Sequence, residues 1–375
     1  MKKMATAWRL GDLTVKNRIV RSATVEGLST EDGKPTPRLV QVTADLARGG
    51  VGLIVLGTAY VSLDARADTG TTGLHTDAVV APLSEVTRAV HKEGGLVAAQ
   101  LLHCGSTINP AILPEKKALY GPSSCIDPLH GQKVSALSKR EIRSIVENYR
   151  DAALRAKKAG FDAVQVHAAH GYLLNQFLSP ATNRREDEYG GTVENRGRFL
   201  LEVCEAIRKA AGSGYPLFIK LSGYDGFQGG LESQDAAAVA ALLDKKGLID
   251  AVEVSAGTPE GAKKGGWDHI LPAPFEEGSL LKYALPIKEN VSCPVISVEG
   301  WRTPEMIEKA LEKVDAVSMS RPFIREPHLT ERWLQGDDGA AACISCNRCL
   351  DLIATTGLGC VFCQEKEGGI KQGVM

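Results

Sequence analysis

Residues 163–180 read Ala163-Val164-Gln165-Val166-His167-Ala168-Ala169-His170-Gly171-Tyr172-Leu173-Leu174-Asn175-Gln176-Phe177-Leu178-Ser179-Pro180. A short β-branched, apolar run ends abruptly in two histidines three apart and then a tyrosine, three proton-handling groups in six residues. The segment before it predicts a helix: Ser138 and Glu141 form a capping box ahead of Ile142, Ile145, Val146 and Tyr149 at helical spacing. The same unit recurs in both directions. Apolar runs at 19–23, 51–57, 96–102, 163–167, 217–222, 251–255, 295–299 and 315–320 alternate with helical stretches, one opened by Ser233 and another by Thr303 with Pro304 in its first turn. Eight strand-helix units predict an α/β fold, a (β/α)8 TIM barrel. Residues 8–15, turning at Gly11-Asp12, predict an N-terminal hairpin that plugs the closed end of the barrel.

Composition sets the outer bounds. Hydrophobic residues make up 43% of the 375 and charged residues 24%, an ordinary globular balance. The 44 basic and 45 acidic residues leave a formal charge of −1, so no nucleic-acid partner is expected. The N-terminus meets Arg9 and Asp12 before an apolar export segment develops, and no run reaches the roughly 20 apolar residues of a spanning helix. A soluble, cytoplasmic protein with no membrane partner is expected. Two connections are long, 104–135 with Pro110, Pro114, Pro122 and Pro128, and 256–278 with Trp267; loops of that length serve as lids or binding loops.

In barrels, a cofactor phosphate often sits on the loops after strands seven and eight. Those loops carry Gly300, which permits close backbone approach, and Ser320-Arg321, whose guanidinium offers a bidentate fork. The chain from residue 5 to 335, and above all the run 164–191, resembles the Old Yellow Enzyme family of FMN-dependent oxidoreductases. The resemblance implies that Ser22, Ala23 and Thr24 lie along the isoalloxazine ring, that Gly57 lies beneath its reactive edge, and that Gln100 reads its pyrimidine end. Lys220 stands where many relatives have arginine and implies a cation at the N1 edge; the alternative is a structural ion pair. His167 and His170 match the pair that binds the carbonyl of an unsaturated substrate, and Tyr172 the phenol that protonates its alpha carbon. Val25 and Ser106 depart from the family pattern, and His103 sits on the same rim. The charged residues of 183–198 are expected to fix the loop and the next helix.

Of nine cysteines, Cys343, Cys346, Cys349, Cys360 and Cys363 fall in the last 33 residues. This tail resembles the iron-sulfur branch of the family, which includes 2,4-dienoyl-CoA reductase and trimethylamine dehydrogenase. The resemblance implies a 4Fe-4S cluster on Cys343, Cys346, Cys349 and Cys360, with Cys363 the other choice of fourth ligand. Zinc on two Cys-x-x-Cys knuckles is the competing reading. A barrel over 1–335 and a Cys-rich metal-binding extension over 336–375 are therefore expected. Longer relatives add a second domain, and no G-x-G-x-x-G follows a strand here, so NADH or NADPH docks over the FMN or a separate protein donates electrons. The expected activity is hydride transfer from flavin N5 to the beta carbon of an alkene conjugated to a carbonyl. An amine dehydrogenase or demethylase passing electrons outward, and a non-catalytic electron-transfer subunit, are the alternatives. Substrate identity and oligomeric state, a homo-oligomer included, stay open.

Overall fold

The computed structural model describes residues 2–66, 68–107, 119–129, 131–266, 268–270, 275–298, 300–353 and 355–364. Eight parallel strands close on themselves: β1 (Ile19–Arg21), β2 (Leu53–Tyr60), β3 (Val97–Leu102), β4 (Ala163–Ala168), β5 (Leu217–Ser222), β6 (Ala251–Ser255), β7 (Val295–Val298) and β8 (Ala316–Met319). Closure is explicit in the register. Arg21 pairs with Ile54 of β2 on one side and Met319 of β8 on the other. Between the strands run α1 (Pro37–Arg48), α2 (Val80–Lys92), α3 (Lys139–Lys158), α4 (Val193–Ala211), α5 (Ser233–Lys245), α6 (Leu281–Asn290) and α7 (Pro304–Leu311), with α8 (Leu329–Leu334) after β8. The expected barrel is thus present.

Each helix turns an apolar stripe to the outside of the sheet, through Leu39, Leu83, Ile142, Phe199, Ala240, Ile287 and Ile307, all fully buried in one cluster. Inside the barrel a separate apolar layer forms from the first inward residues of the strands, among them Leu53, Ala98, Ala163, Phe218, Ala251, Ile296 and Ala316. The hairpin of Trp8–Leu10 and Leu13–Val15 closes this floor with Trp8, Leu10 and Val15, as its sequence predicts. Gly11 turns it at φ +56°, in the left-handed region glycine tolerates.

Differences from the expected elements have local causes. The second strand begins at Leu53 and runs on to Tyr60, because a bulge at Gly57 restores pairing, with Thr58 opposite Gln100. Ser233, by contrast, opens α5 as expected, and its hydroxyl donates to the Gly223 carbonyl at 2.9 Å. Glu299, Pro110, Pro114 and Trp267 lie outside the described residues. The remainder of 104–135 contributes a small sheet of Leu119–Gly121, Cys125–Ile126 and Lys133–Ala136. The 183–198 segment is fixed as expected. Asn183 Nδ2 donates to the carbonyls of Phe177 and Tyr189 at 2.7 Å each, and Arg196 Nε donates to Leu178 O at 2.8 Å.

The tail is strapped to the open end of the barrel. Ala341 N donates to Arg302 O at 2.8 Å, Leu358 N to Glu26 O at 2.6 Å, and Arg38 Nη2 to Leu358 O at 2.9 Å. Among the described residues, no helix is long and apolar enough to cross a membrane.

The capping box of α3 forms in full: Glu141 N donates to Ser138 Oγ at 3.3 Å and Ser138 N donates to Glu141 Oε2 at 2.7 Å. Ser138→Ala is expected to cost about 1 kcal/mol, read as a lower urea midpoint; an unchanged midpoint would show that the cap contributes nothing.

Candidate active site

The strands end around a cavity of about 190 Å³ at the C-terminal mouth of the barrel. Strand alternation decides what faces it. Along β4, Ala163 belongs to the apolar floor, Gln165 lies fully buried two residues on, and His167 reaches the cavity. Along β6, Ala251, Glu253 and Ser255 make the same three steps. Beneath the cavity the barrel is therefore polar. Gln100 Nε2 donates to Gln165 Oε1 at 2.7 Å, Gln165 Nε2 to Glu253 Oε2 at 2.6 Å, and Ser318 Oγ to Glu253 Oε1 at 2.6 Å. Lys220 Nζ lies 3.7 Å from Glu253 Oε1 and donates to Ser22 Oγ at 2.7 Å. Burial alone would raise the pKa of Glu253, but the Lys220 charge and hydrogen bonds from Ser318, Ser22 and Gln165 hold it below its ordinary value.

The histidines and tyrosine form one aromatic cluster. The His167 ring stands edge-on to His170 at 5.0 Å and to Tyr172 at 4.9 Å. The Ala169 amide donates to His167 Nδ1 at 3.3 Å, which makes that nitrogen an acceptor and leaves the proton on Nε2. His170 sits at φ +63°, and its Nε2 is 2.7 Å from Ser255 Oγ, so Nδ1 is its remaining ring nitrogen. Burial lowers both imidazole pKa values well below the ordinary range; for His167, Lys220 and then His269 add to the effect, and for His170, His269, His167 and then Lys220. Burial also raises the Tyr172 phenol, so it carries its proton at neutral pH. The cluster presents uncharged donors, suited to an oxygen on which negative charge develops.

Most of the expected site residues come together. Ser22, Ala23, Thr24, Gln100, His167, His170, Tyr172, Lys220, Gly300, Ser320, Arg321 and Cys349 all line the cavity, and the Thr24 and Ser320 hydroxyls touch each other. Val25 lines it too, with a side chain that cannot donate. Gly57 is not among the lining residues, and Thr58 takes that place. A Cβ at Gly57 would run into Thr24 O and the Glu26 carboxylate, so its smallness answers to loop packing. Glu26 accepts from Gly57 N at 3.0 Å and pairs with Arg21 at 2.9 Å. Ser106 faces a neighbouring cavity, and His103 Nδ1 accepts from Gly105 N at 3.1 Å.

His269 is the residue that sequence reasoning missed. Its ring stacks on His170 at 4.4 Å, 20° from parallel, and its Nδ1 lies 2.5 Å from Asp268 Oδ1. The only trace in the sequence was an Asp-His pair inside the long 256–278 connection.

The tail supplies a wall of the cavity with Ser345, Cys349, Leu350, Ile353 and Leu358. Arg321 Nη1 donates to Asn347 Oδ1 at 2.5 Å, and the guanidinium lies 5.8 Å from the Phe275 ring centre. The expected metal ligands are not assembled. Among the described residues no group of three or more His, Cys, Asp or Glu could hold an ion, and of Cys343, Cys346, Cys349 and Cys360 only Cys349 lines the cavity. Cys363 Sγ instead donates to Arg325 O at 3.7 Å. These thiols are not gathered into one ligand set among the described residues, and the metal reading rests on spacing.

The residues present do fit FMN. Amide, hydroxyl and ammonium groups line the part of the cavity above the strands, a guanidinium lies at the start of the short helix Arg321–Arg325 after β8, and the tail adds an apolar wall. Barrel folds carry their ligand sites at this mouth. The chain belongs to the NADH:flavin oxidoreductase / NADH oxidase family, whose pattern it matches over residues 6–338. It is 35% identical over 343 residues to an NADH oxidase of Thermoanaerobacter brockii, covering 90% of this chain and about half, 52%, of that protein. Among solved structures it is similar to the Old Yellow Enzyme homologue of Zymomonas mobilis, with TM-score 0.76 and 30% identity over 91% of this chain and 95% of the other. Morphinone reductase in complex with tetrahydroNAD gives TM-score 0.74 and 31% identity over 89% and 90%.

The depressed histidines have a pH consequence. A base whose folded pKa lies below its unfolded value binds fewer protons when folded, so stability is complete above about pH 6.5 and declines as pH falls below it. The urea midpoint is expected to hold from pH 8 to about 6.5 and then drop, less steeply in His167→Gln; a wild-type midpoint independent of pH down to 5 would contradict neutral, buried rings.

Proposed function

We propose that the chain is an FMN-dependent ene-reductase that takes hydride from NADH or NADPH and reduces an alkene conjugated to a carbonyl. The observation that carries this reading is the convergence of two neutral imidazoles and a protonated phenol on one cavity with Ser22, Gln100, Lys220 and Arg321. FMN bound there would supply hydride at N5. Ser22, Ala23, Thr24 and Gln100 would hold the ring system, Lys220 its N1 edge, and Gly300, Ser320 and Arg321 the phosphate. The nicotinamide would use the same cavity, as the complex of morphinone reductase with tetrahydroNAD supports.

The chain's own residues then have defined tasks. His167 Nε2–H and His170 Nδ1 bind the substrate carbonyl, and hydrogen bonding to the oxygen draws electrons from the beta carbon. As hydride arrives at that carbon the double-bond electrons move onto the oxygen. Tyr172 O–H gives its proton to the alpha carbon and is reprotonated from solvent. His269, stacked on His170 and held by Asp268, orients that ring.

For the tail we propose a role at the cavity edge through Cys349, with the barrel at 1–335 and the tail at 336–375 as the functional division. The spacing of Cys343, Cys346, Cys349 and Cys360 supports a 4Fe-4S cluster, with zinc as the alternative, and no step above passes through it. Iron, acid-labile sulfide and zinc analysis of anaerobically purified protein decides between them: four iron and four sulfide per chain are expected, and zinc alone or neither refutes the cluster.

Purified protein is expected to carry FMN, and protein that binds none even when reconstituted would overturn the proposal. Tyr172→Phe should reduce cyclohexenone about 10²–10⁴-fold more slowly while its flavin is still reduced by NAD(P)H at the wild-type rate. Unchanged enone reduction in single-turnover mixing would remove Tyr172 as proton donor.

A further inference from the structure

Glu253 sits at the middle of β6 with 0% exposure and does not line the cavity, yet Lys220 and Ser22 beside it do, as does Gln100 beyond Gln165. Its Oε1 accepts from Ser318 Oγ and faces Lys220 Nζ, and its Oε2 accepts from Gln165 Nε2. A carboxylate only accepts hydrogen bonds. Gln165 must therefore turn its amino group toward Glu253 and its carbonyl toward β3, where Gln100 Nε2 donates to it at 2.7 Å. That donation fixes Gln100 in turn: the carbonyl oxygen and second N–H of its amide are what remain for the cavity. An amide chain anchored at neither end could flip as a unit, exchanging donor for acceptor at the wall; the anion removes that freedom. On its other side the same anion faces Lys220, whose ammonium also donates to Ser22 Oγ at 2.7 Å. A buried ammonium and carboxylate each need the other, since a lone buried charge is strongly unfavourable.

We infer that Glu253 is a positioning residue for the cofactor cavity: through Gln165 it sets which face of the Gln100 amide meets the ligand, and by pairing with Lys220 it sets the place and the net field of that ammonium. This rests on the reading that the cavity takes FMN. A purely structural ion pair would alter stability and leave the properties of the bound flavin alone.

The test uses reconstituted holoprotein, with the FMN dissociation constant read by fluorescence and the midpoint potential by spectroelectrochemistry. Glu253→Gln keeps the shape but has one acceptor oxygen for the donors Ser318, Ser22 and Gln165. It is expected to weaken FMN binding about tenfold or more and to move the potential to more positive values, because the Lys220 charge is no longer offset. Glu253→Asp, which keeps the charge, should return the potential toward wild type. Gln165→Met cuts only the amide limb and should weaken FMN about tenfold with the potential unchanged. A wild-type potential in Glu253→Gln, or wild-type FMN affinity in Gln165→Met, overturns the inference. If Glu253→Gln does not accumulate as folded protein, the affinity of Gln165→Met decides. Wild-type protein that takes up no FMN would instead refute the underlying reading.

Discussion

A closed barrel obliges every strand to send alternate residues inward, and this two-residue period is the constraint on which the site depends. Because Val164 to Ala168 of β4 pair in register with Leu217 to Leu221 of β5, and Phe218 to Ser222 of β5 with Ala251 to Ser255 of β6, equivalent positions fall at one height. Gln165, Phe218 and Ala251 fall at one level, His167, Lys220 and Glu253 at the next, and Ser222 and Ser255 above them. A slip of one residue in any strand would turn its polar set against the helices.

The layers also explain why the site electrostatics hold. Two histidines near a buried lysine stay neutral, because burial and that charge act in the same direction. Lys220 remains tolerable inside the barrel only beside Glu253, and Glu253 only because Ser318 and Gln165 satisfy its remaining lone pairs. Neutral hydrogen-bonding rings and a compensated charge pair beside them are two results of one arrangement.

The barrel was legible because each strand is a short apolar run between amphipathic helices, and the hairpin because Gly11-Asp12 separates two patterned triplets. The cavity positions on β4, on β5 and after β8 were legible because each sits at a strand end with unusual chemistry for a core run. Three features were hidden for different reasons. The role of Gly57 depends on a bulge and on Glu26, which lies 31 residues away in the chain. His269 comes from a long loop with no periodicity to place it. Glu253 was visible as a lone acid between valines in a buried strand, a composition that strand counting absorbs as core. The cysteine spacing, conversely, was plain in sequence, but the fold brings only Cys349 to the cavity.

His170 joins Ser345 and Asn347 as the non-glycine residues at positive φ among those described, and its amide is held there by Ser222 Oγ at 3.1 Å. The left-handed region admits histidine and asparagine far more readily than β-branched side chains. For the evolutionary path of this site, the backbone therefore filters replacements before chemistry does. Histidine and asparagine both fit the bend and both offer a ring or amide hydrogen bond, so the backbone admits either one. Valine, isoleucine and threonine are closed off by geometry alone, whatever a substrate would demand.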